Sequence, residues 1–502
     1  MANTAGEARA ATWTMASRVV AQGTQFAVFI VAARFLTPAQ FGMYVLIQAI
    51  NMLMAKVAEA GWREFTTTWQ GESEADAQAF TLATLGGVGL ALVGVVGAFV
   101  LSLMPDHAEY AGLQLLLALS IAGMGTTQVW SGQLIRTRRA DALAKAVLLG
   151  QALGGSISIG GLVLDFGVTA LGAGKLVAQV VTMIMIVAMA PWFPGIRLSS
   201  PGTPTIVKFT KSMLGSKCIA YLQGNAAVLL VSFFLGPTTV GLYRAGARVA
   251  GSVAEIVAEP TRIVCWMTLR RAAERPVDAG RAGQGEVGAG APEQQAEDSP
   301  ERAELAESAE RFLGLSLSLA TPVFLGVAVT AEPLVVALLG EQWRPSAPVV
   351  VVMALAHFIA TQMVMTAPLL SLAGQVERIP MIDLFSGIAT IAGLSMLAPF
   401  GLVPTALGQL SAQLATLWVI VRAHARYAAV SWARAVRQAM PSILAALAMV
   451  AVILLSRPWL HTAVEDARLQ LAGEIVGGVL VFAVGLTALG GWRPLIAAYA
   501  KL

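Results

Sequence analysis

The sequence predicts an all-α integral membrane protein with about fourteen membrane-spanning helices. Of its 502 residues, 57% are hydrophobic and only 12% are charged, which leaves too few polar side chains to cover a water-facing surface. The apolar residues form runs long enough to cross a bilayer, and these runs lack the alternating pattern of barrel strands. A soluble enzyme is therefore excluded.

The predicted spans follow from the apolar runs and from the polar, Pro and Gly residues that separate them. In chain order they cover residues 13–33, 41–62, 80–104, 113–134, 142–164, 171–192, 212–235, 240–266, 312–339, 347–373, 381–399, 403–421, 440–455 and 471–489. The segment 272–310 is rich in Gly, Ala, Glu, Gln, Arg and Pro. It predicts a cytoplasmic, largely disordered loop, with a short helical extension at its end, from Glu301 to Arg311.

Basic residues predict the orientation. An even number of spans puts both termini on one side, and the Lys and Arg residues concentrate in the connecting segments of that same side. The positive-inside rule therefore predicts that both termini are cytoplasmic. The clusters concerned are Arg136, Arg138 and Arg139; Lys208 and Lys211; Arg270 and Arg271; and Arg422, Arg426, Arg434 and Arg437.

Two pairs of segments match without gaps and indicate an internal repeat. Residues 35–44 (FLTPAQFGMY) parallel 234–243 (FLGPTTVGLY), and 174–182 (GKLVAQVVT) parallel 408–416 (GQLSAQLAT). The repeat predicts two lobes of about six spans each in parallel order. The first covers residues 1–199, the second covers 200–430 and carries the 272–310 loop, and 431–502 add two further spans. Such a plan is typical of transporters that bind substrate between their lobes.

Residues 33–44 and 235–243 resemble the polysaccharide-biosynthesis flippases of the Wzx type. These belong to the multidrug/oligosaccharidyl-lipid/polysaccharide exporter (MOP) superfamily, whose fold is that of the MATE transporters. The resemblance extends from about Trp13 to Val421. It implies a two-lobe MATE-like fold in a bacterial cytoplasmic (inner) membrane.

The function implied by this resemblance is the flipping of a polyprenyl-diphosphate-linked oligosaccharide from the cytoplasmic to the periplasmic leaflet. The pathway would be the assembly of exopolysaccharide, capsule or O-antigen. Membrane lipid, and a polymerase with its export machinery, are the implied partners, and nucleic acid is not one. The chain departs from its relatives at Ala227 and Val228, where many carry an acidic and then a basic residue, and at Phe233, the repeat counterpart of Arg34.

Charged residues within spans are the candidates for binding this substrate. A lipid-facing Arg or Lys costs about 2.5–3.5 kcal/mol at the bilayer centre, so such residues are expected to face a cavity or an interface. Guanidinium groups bind diphosphate oxygens in bidentate fashion. We therefore predict a cationic cavity, to which Arg18 also belongs because relatives commonly carry a basic residue there. Its candidate residues are Arg18, Lys217, Arg244 and Arg248.

Amides and acids within spans are the remaining candidates. Sugar contacts are predicted for Gln22, Asn51, Asn225 and Gln409, although amides also link helices to one another. Coupling to Na⁺ or H⁺ is predicted for Glu59, Glu255, Glu259 and Asp383, although pairing with a nearby Arg or Lys explains intramembrane acids equally well.

No other cofactor and no metal site is expected, and Cys218 and Cys265 read as small buried hydrophobes. The sequence has no HExxH, P-loop or nucleophile-elbow motif, so we expect a transporter and not an enzyme. Two alternatives stay open. One is a MATE-like ion-coupled exporter of small molecules, which would favour an acidic cavity. The other is a membrane polymerase, which would require a large periplasmic loop.

Overall fold

A computed structural model describes residues 20–69, 71, 73–190, 192–274, 300–464 and 466–492. All regular secondary structure among them is helical. The longer helices, numbered in chain order, are α1 (Val20–Phe35), α2 (Pro38–Glu59), α3 (Trp62–Thr68), α4 (Ser73–Ser102), α5 (Ala111–Ala122), α6 (Met124–Arg136), α7 (Ala140–Val163), α8 (Thr169–Met189), α9 (Thr203–Glu274), α10 (Pro300–Val329), α11 (Ala331–Leu339), α12 (Ala347–Met363), α13 (Thr366–Leu372), α14 (Ile379–Leu397), α15 (Leu402–Ala428), α16 (Trp432–Ala463) and α17 (Ala467–Ala488).

Within the described residues, 11 helical segments are long and apolar enough to cross a membrane. One of them, Thr203–Ala272, is 70 residues long and contains two predicted spans. Two other predicted spans are helical but fall outside that set: Val20–Phe35 is short in its described part, and α15 carries several amide and basic side chains. The structure therefore confirms the predicted all-α membrane fold, and the count of about fourteen spans stands as an approximate one.

The long helix α9 is bent at the predicted turn. Gly236 has φ 77° and ψ 177°, which separates an arm of residues 203–235 from an arm of residues 237–274. A side chain with a Cβ is strained at such a φ, whereas glycine adopts it freely. Pro237 follows directly and fits the first turn of the second arm.

The outer face of α4 shows how these helices meet lipid. Leu85, Leu92, Val96 and Phe99 lie on one side of this helix and are each 57–63% exposed. A continuous apolar stripe of this kind would be unfavourable in water. In hydrocarbon such a stripe is favourable. The backbone is also compatible with lipid, because the N–H and C=O groups of a helix bond to one another within the helix.

The chain divides into two compact units, Met1–Arg244 (unit 1) and Ala245–Leu502 (unit 2). The predicted lobes instead meet at residues 199 and 200, and that boundary stays a prediction.

In unit 1 the two copies of the first repeat motif pack against each other. A methyl group added at Gly42 would lie 1.8 Å from the carbonyl oxygen of Pro237. A methyl group added at Gly241 would lie 2.1 Å from the carbonyl oxygen of Pro38. The start of α2 and the second arm of α9 therefore touch backbone to backbone through one Pro–Gly pair from each copy. Small residues permit such close approach between membrane helices.

The second repeat motif makes the same contact once in each unit. In unit 1, a methyl group at Gly174 of α8 would lie 2.3 Å from the carbonyl oxygen of Gly154 on α7. In unit 2, a methyl group at Gly408 of α15 would lie 2.5 Å from the carbonyl oxygen of Gly393 on α14. Matching sequence segments thus produce matching helix pairs, which supports the internal repeat predicted from the sequence.

The start of α10 agrees with the helical extension predicted at the end of the loop segment. Within 272–310, residues 300–310 are helical as expected, residues 272–274 are also helical and correct the predicted start of the loop, and 275–299 lie outside the described residues. Leu305 and Ala309 are buried against Cys265, Leu269 and neighbouring residues of unit 2. The polar composition of the whole segment hides these few apolar side chains, whose packing stabilises the helix. The helix therefore begins at Pro300, close to the predicted start at Glu301.

The two added helices, α16 and α17, are linked to each other by a buried ion pair and to α10 by two further contacts. Arg457 Nε lies 2.9 Å from Glu474 Oε1, and Glu474 is 3% exposed. The guanidinium also donates to the backbone carbonyl of Val329 at the end of α10. A second buried carboxylate, Glu310, accepts a hydrogen bond from the Ser431 backbone N–H (2.7 Å) and pairs with Arg434 (2.9 Å). The contact of Arg457 with Val329 and the contacts of Glu310 attach this terminal pair of helices to α10.

Candidate functional site

Unit 1 contains a partly open cavity of about 310 Å³, which we call the amide cavity. Its lining comes from α1, α2 and α3 and from α5 to α8, and its hydroxyl groups come from Ser120, Thr127, Ser131 and Thr182. Among the described residues, no Asp or Glu lines it. Six amide side chains face this space: Gln25, Gln48, Asn51, Gln128, Gln151 and Gln179.

Most of these amides have unused hydrogen-bonding capacity. Asn51 is 4% exposed, and its Nδ2 donates to Gln114 Oε1 at 2.6 Å. Its Oδ1 is buried without any partner among the described residues. Gln179 Nε2 donates to Thr127 Oγ1 at 3.1 Å, which holds α8 to α6. A buried amide oxygen without a partner is costly, so it favours a ligand that donates a hydrogen bond.

The hydroxyls of the cavity act as acceptors. Ser120, Thr127 and Ser131 each donate to a backbone carbonyl three or four residues earlier in their own helix, at 2.6–2.7 Å. Their oxygens are therefore left to accept. Amides that can donate and accept, beside hydroxyls that accept, form a lining suited to a ligand rich in hydroxyl groups.

A second space of about 570 Å³, which we call the charged pocket, lies beside the amide cavity in unit 1. Its charged side chains are Lys56, Glu59, Arg63, Glu64 and Lys217. Two residues, Arg63 and Gln128, line both spaces, so the two adjoin at these side chains.

Local backbone geometry places these charges together. Helix α2 ends after Glu59, where Ala60 (φ 35°) and Gly61 (φ 82°) turn the chain, and α3 begins at once with Trp62. Lys56 and Glu59 therefore occupy the last turn of α2, and Arg63 and Glu64 occupy the first turn of α3. The opposite wall is the first arm of α9.

That wall is fixed by hydrogen bonds. Lys217, Tyr221 and Asn225 lie at successive four-residue intervals, hence on one face of α9. The Tyr221 hydroxyl donates to the Ala49 carbonyl of α2 at 2.6 Å. Lys217 Nζ lies 3.0 Å from Glu64 Oε1, so an ion pair also closes the gap between α3 and α9.

Several predicted residues meet at these two spaces. Asn51 lines the amide cavity, and Lys217, Asn225 and Glu59 line the charged pocket. Glu59 pairs with Lys56 at 3.0 Å.

Other predicted residues lie elsewhere. Arg18 is outside the described residues, and Gln22 is exposed on α1. Arg244 is an exposed residue of α9 that lines neither space. The further predicted residues that line neither space are all in unit 2: Arg248, Glu255, Glu259, Asp383 and Gln409.

Two of the predicted coupling acids in unit 2 are engaged in ion pairs. Glu255 Oε1 lies 3.4 Å from Arg248, and Glu259 lies 2.6 Å from Arg262. These pairs match the alternative interpretation stated from the sequence. Asp383 is exposed on α14. The binding and coupling roles assigned to these residues stay predictions.

Sequence reasoning missed Arg63 and Glu64, because the predicted span ended at Trp62 and both were assigned to a connecting segment. It also did not select Lys175, although Lys175 lines the amide cavity. Amides inside apolar spans were the available signal for Gln128 and Gln179, but the sequence alone does not say which of them share a space.

Long apolar helices, with the same helix pairing in both units, characterise a multi-pass membrane protein with a MATE-like fold. Two solved structures have this fold. The lipid II flippase MurJ in an inward closed conformation aligns with a TM-score of 0.67 at 11% identity, over 97% of this chain and 99% of that one. An inward-facing multidrug resistance MATE family transporter of the MOP superfamily aligns with a TM-score of 0.57 at 13% identity, over 83% of this chain and 98% of that one.

The polysaccharide biosynthesis protein family matches residues 31–275 and 296–348, and the chain belongs to this family. The match is interrupted within the predicted loop. A curated relative, the succinoglycan biosynthesis transport protein ExoT of Rhizobium meliloti (strain 1021), is 23% identical over 478 residues, which is 93% of this chain and 90% of the relative. These findings confirm the resemblance stated from the sequence.

Proposed function

We propose that this protein flips a polyprenyl-diphosphate-linked oligosaccharide across the bacterial cytoplasmic membrane, by alternating access, for assembly of a surface polysaccharide. The observation that carries the proposal is the amide cavity. Its amides and its hydroxyl oxygens suit sugar hydroxyl groups, its cations Arg63 and Lys175 suit an anion, and none of the described residues that line it is a carboxylate. Family membership and the MurJ-like fold support the same class of substrate.

The amide cavity supplies the sugar contacts in this proposal, through Asn51 and the neighbouring glutamines. The predicted cationic residues Arg18, Lys217, Arg244 and Arg248 are proposed to serve the diphosphate, and Gln22, Asn225 and Gln409 are proposed as further sugar contacts. Coupling to Na⁺ or H⁺ through Glu59, Glu255, Glu259 or Asp383 is part of the proposal. Both termini are proposed to be cytoplasmic, and a polymerase with its export machinery to act on the flipped product.

An exporter of cationic small molecules is less well supported. A cationic drug would need a carboxylate in its cavity, whereas the charged residues that line the amide cavity are Arg63 and Lys175.

The test is to delete the gene in its native host and follow lipid-linked oligosaccharide in each leaflet. We expect accumulation in the cytoplasmic leaflet and loss of surface polysaccharide. Gln128→Leu and Gln179→Leu are expected to restore export poorly at normal expression. Gln470→Leu, on α17 and outside both spaces, is the matched control and is expected to restore it fully.

Intact surface polysaccharide without accumulation in the deletion strain would refute the flippase proposal. Increased sensitivity of that strain to cationic drugs would then favour the exporter alternative.

A further inference from the structure

The charged pocket holds more cations than its carboxylates neutralise. Three cationic side chains (Lys56, Arg63 and Lys217) face two carboxylates (Glu59 and Glu64). Lys56 and Lys217 are each paired with one carboxylate at 3.0 Å. Arg63 has no ion pair among the described residues, and its Nε is buried without a hydrogen-bond partner. A buried guanidinium N–H without an acceptor is costly.

We propose that the charged pocket is the docking site for the diphosphate of a lipid-linked substrate, and that Glu64 occupies Lys217 as an internal substitute for phosphate oxygens until the substrate displaces it. This inference rests on the proposed function, because it takes the lipid-linked diphosphate as the ligand.

The two ion pairs differ in what they connect. Lys56 and Glu59 are three residues apart on α2, so their ion pair does not connect α2 to another helix. Lys217 and Glu64 are 153 residues apart, and their pair connects α9 with α3. The Glu64 side chain is 42% exposed, so it can turn toward solvent when another anion takes its place. Glu59, at 15%, is more enclosed.

A diphosphate satisfies all three cations better than the carboxylates do. It carries about two negative charges and four terminal oxygens, and a guanidinium binds two such oxygens at once. It would therefore give Arg63 the acceptor it lacks while keeping Lys217 neutralised. The connection between α3 and α9 would then pass through the substrate.

The adjacency of the two spaces agrees with this placement. Arg63 and Gln128 line both the charged pocket and the amide cavity. A diphosphate held by Arg63 would therefore lie beside the amide cavity, where the proposed sugar contacts are. The charged headgroup and the neutral sugar each meet a lining of matching chemistry.

The test measures binding of farnesyl diphosphate, a short prenyl diphosphate, to the purified full chain in detergent by calorimetry. Glu64→Gln removes the competing charge, and we expect about fivefold tighter binding. Lys217→Gln removes one of the cations that would bind the diphosphate, and we expect about tenfold weaker binding, with recovery in Lys217→Arg. Farnesol is expected not to bind, and inorganic pyrophosphate is expected to bind more weakly than farnesyl diphosphate.

Matched controls come from an ion pair of equal length that lies within α7 and outside both spaces. Lys145 Nζ lies 3.0 Å from Asp141, and the Asp141 side chain is 40% exposed, close to Glu64. Asp141→Asn and Lys145→Gln should therefore leave the affinity unchanged. A misfolded variant cannot imitate the expected gain of affinity in Glu64→Gln.

Unchanged or weaker binding by Glu64→Gln would overturn the displacement. Equal affinity for pyrophosphate and farnesyl diphosphate would overturn the lipid-linked ligand. The proposed function fails separately: if these binding results hold but the deletion strain distributes lipid-linked oligosaccharide normally, the docking site stands and the flippase assignment falls.

Discussion

The contact between Gly42 and Pro237 predicts that Gly42→Ala destabilises unit 1. The added methyl carbon would lie 1.8 Å from the Pro237 carbonyl oxygen and 2.6 Å from its carbonyl carbon. Both are backbone atoms, so no side chain can rotate away, and the two helices must separate by at least about 1 Å. Overpacking of this kind costs about 1–3 kcal/mol.

The reciprocal contact makes the prediction sharper. Gly241→Ala, which meets the Pro38 carbonyl oxygen at 2.1 Å, should cost a similar amount. Because the same separation of the helices relieves both clashes, the double variant should cost less than the two single variants together, by about 1 kcal/mol. Gly89→Ala is the control, since a Cβ there meets nothing within 4 Å.

The assay is thermal unfolding in detergent, followed by loss of the monodisperse size-exclusion peak. Taking about 2 °C per kcal/mol, Gly42→Ala should lower the midpoint by about 2–6 °C. Gly89→Ala should leave it unchanged. Equal midpoints for Gly42→Ala and wild type, or a double variant that is fully additive, would contradict the packing described for the first repeat motif.

Two further predictions concern the other helix contacts. Gly154→Ala, whose methyl would lie 2.4 Å from the Gly174 carbonyl oxygen, should destabilise by about 1–3 kcal/mol in the same assay, whereas Gly160→Ala on the same helix, with nothing within 4 Å, should not. Arg457→Met should lower the free energy of unfolding by about 3–5 kcal/mol, because it leaves the Glu474 carboxylate buried without its partner. Adding Glu474→Leu should recover much of that loss of stability. A double variant less stable than Arg457→Met would contradict this prediction.

The sequence predicted the helical spans well because a bilayer imposes a simple length and composition on each of them. The turn at Gly236 is an example: a Gly-Pro pair between two apolar runs marks a break, and the structure places a positive φ there. The end of the second span was harder. The predicted span stopped at Trp62, and α3 instead continues to Thr68, which brings Arg63 and Glu64 into the charged pocket.

The composition of the two spaces could not be predicted from periodicity. The amide cavity draws residues from seven helices between Gln25 and Ile186. Whether an amide such as Gln128 faces a cavity or a neighbouring helix depends on how those helices rotate against one another, and a span that is apolar on nearly every face does not record that rotation. The pairing of Glu255 with Arg248 was easier to predict from the sequence, because seven residues span two helical turns and so place both side chains on one face.

The second repeat motif shows how one helical segment serves both helix packing and the lining of a cavity. In unit 1, Gly174 and Ala178, four residues apart, pack against Gly154 of α7. Lys175, Gln179 and Thr182 lie on the adjoining face of the same helix and line the amide cavity. Small residues let the helices approach, and the residues beside them carry the polar groups.

The matching segment of unit 2 has small residues and polar residues at the same positions, but it has no residue that corresponds in charge to Lys175. Gly408 packs against Gly393, and Ala412 is buried. The positions that correspond to Lys175, Gln179 and Thr182 hold Gln409, Gln413 and Thr416. The two copies therefore present the same amide and hydroxyl groups, but only the copy in unit 1 carries a cation. Because an anionic headgroup needs cations and a neutral sugar does not, this difference favours unit 1 as the part of the molecule that would bind the charged end of the proposed substrate.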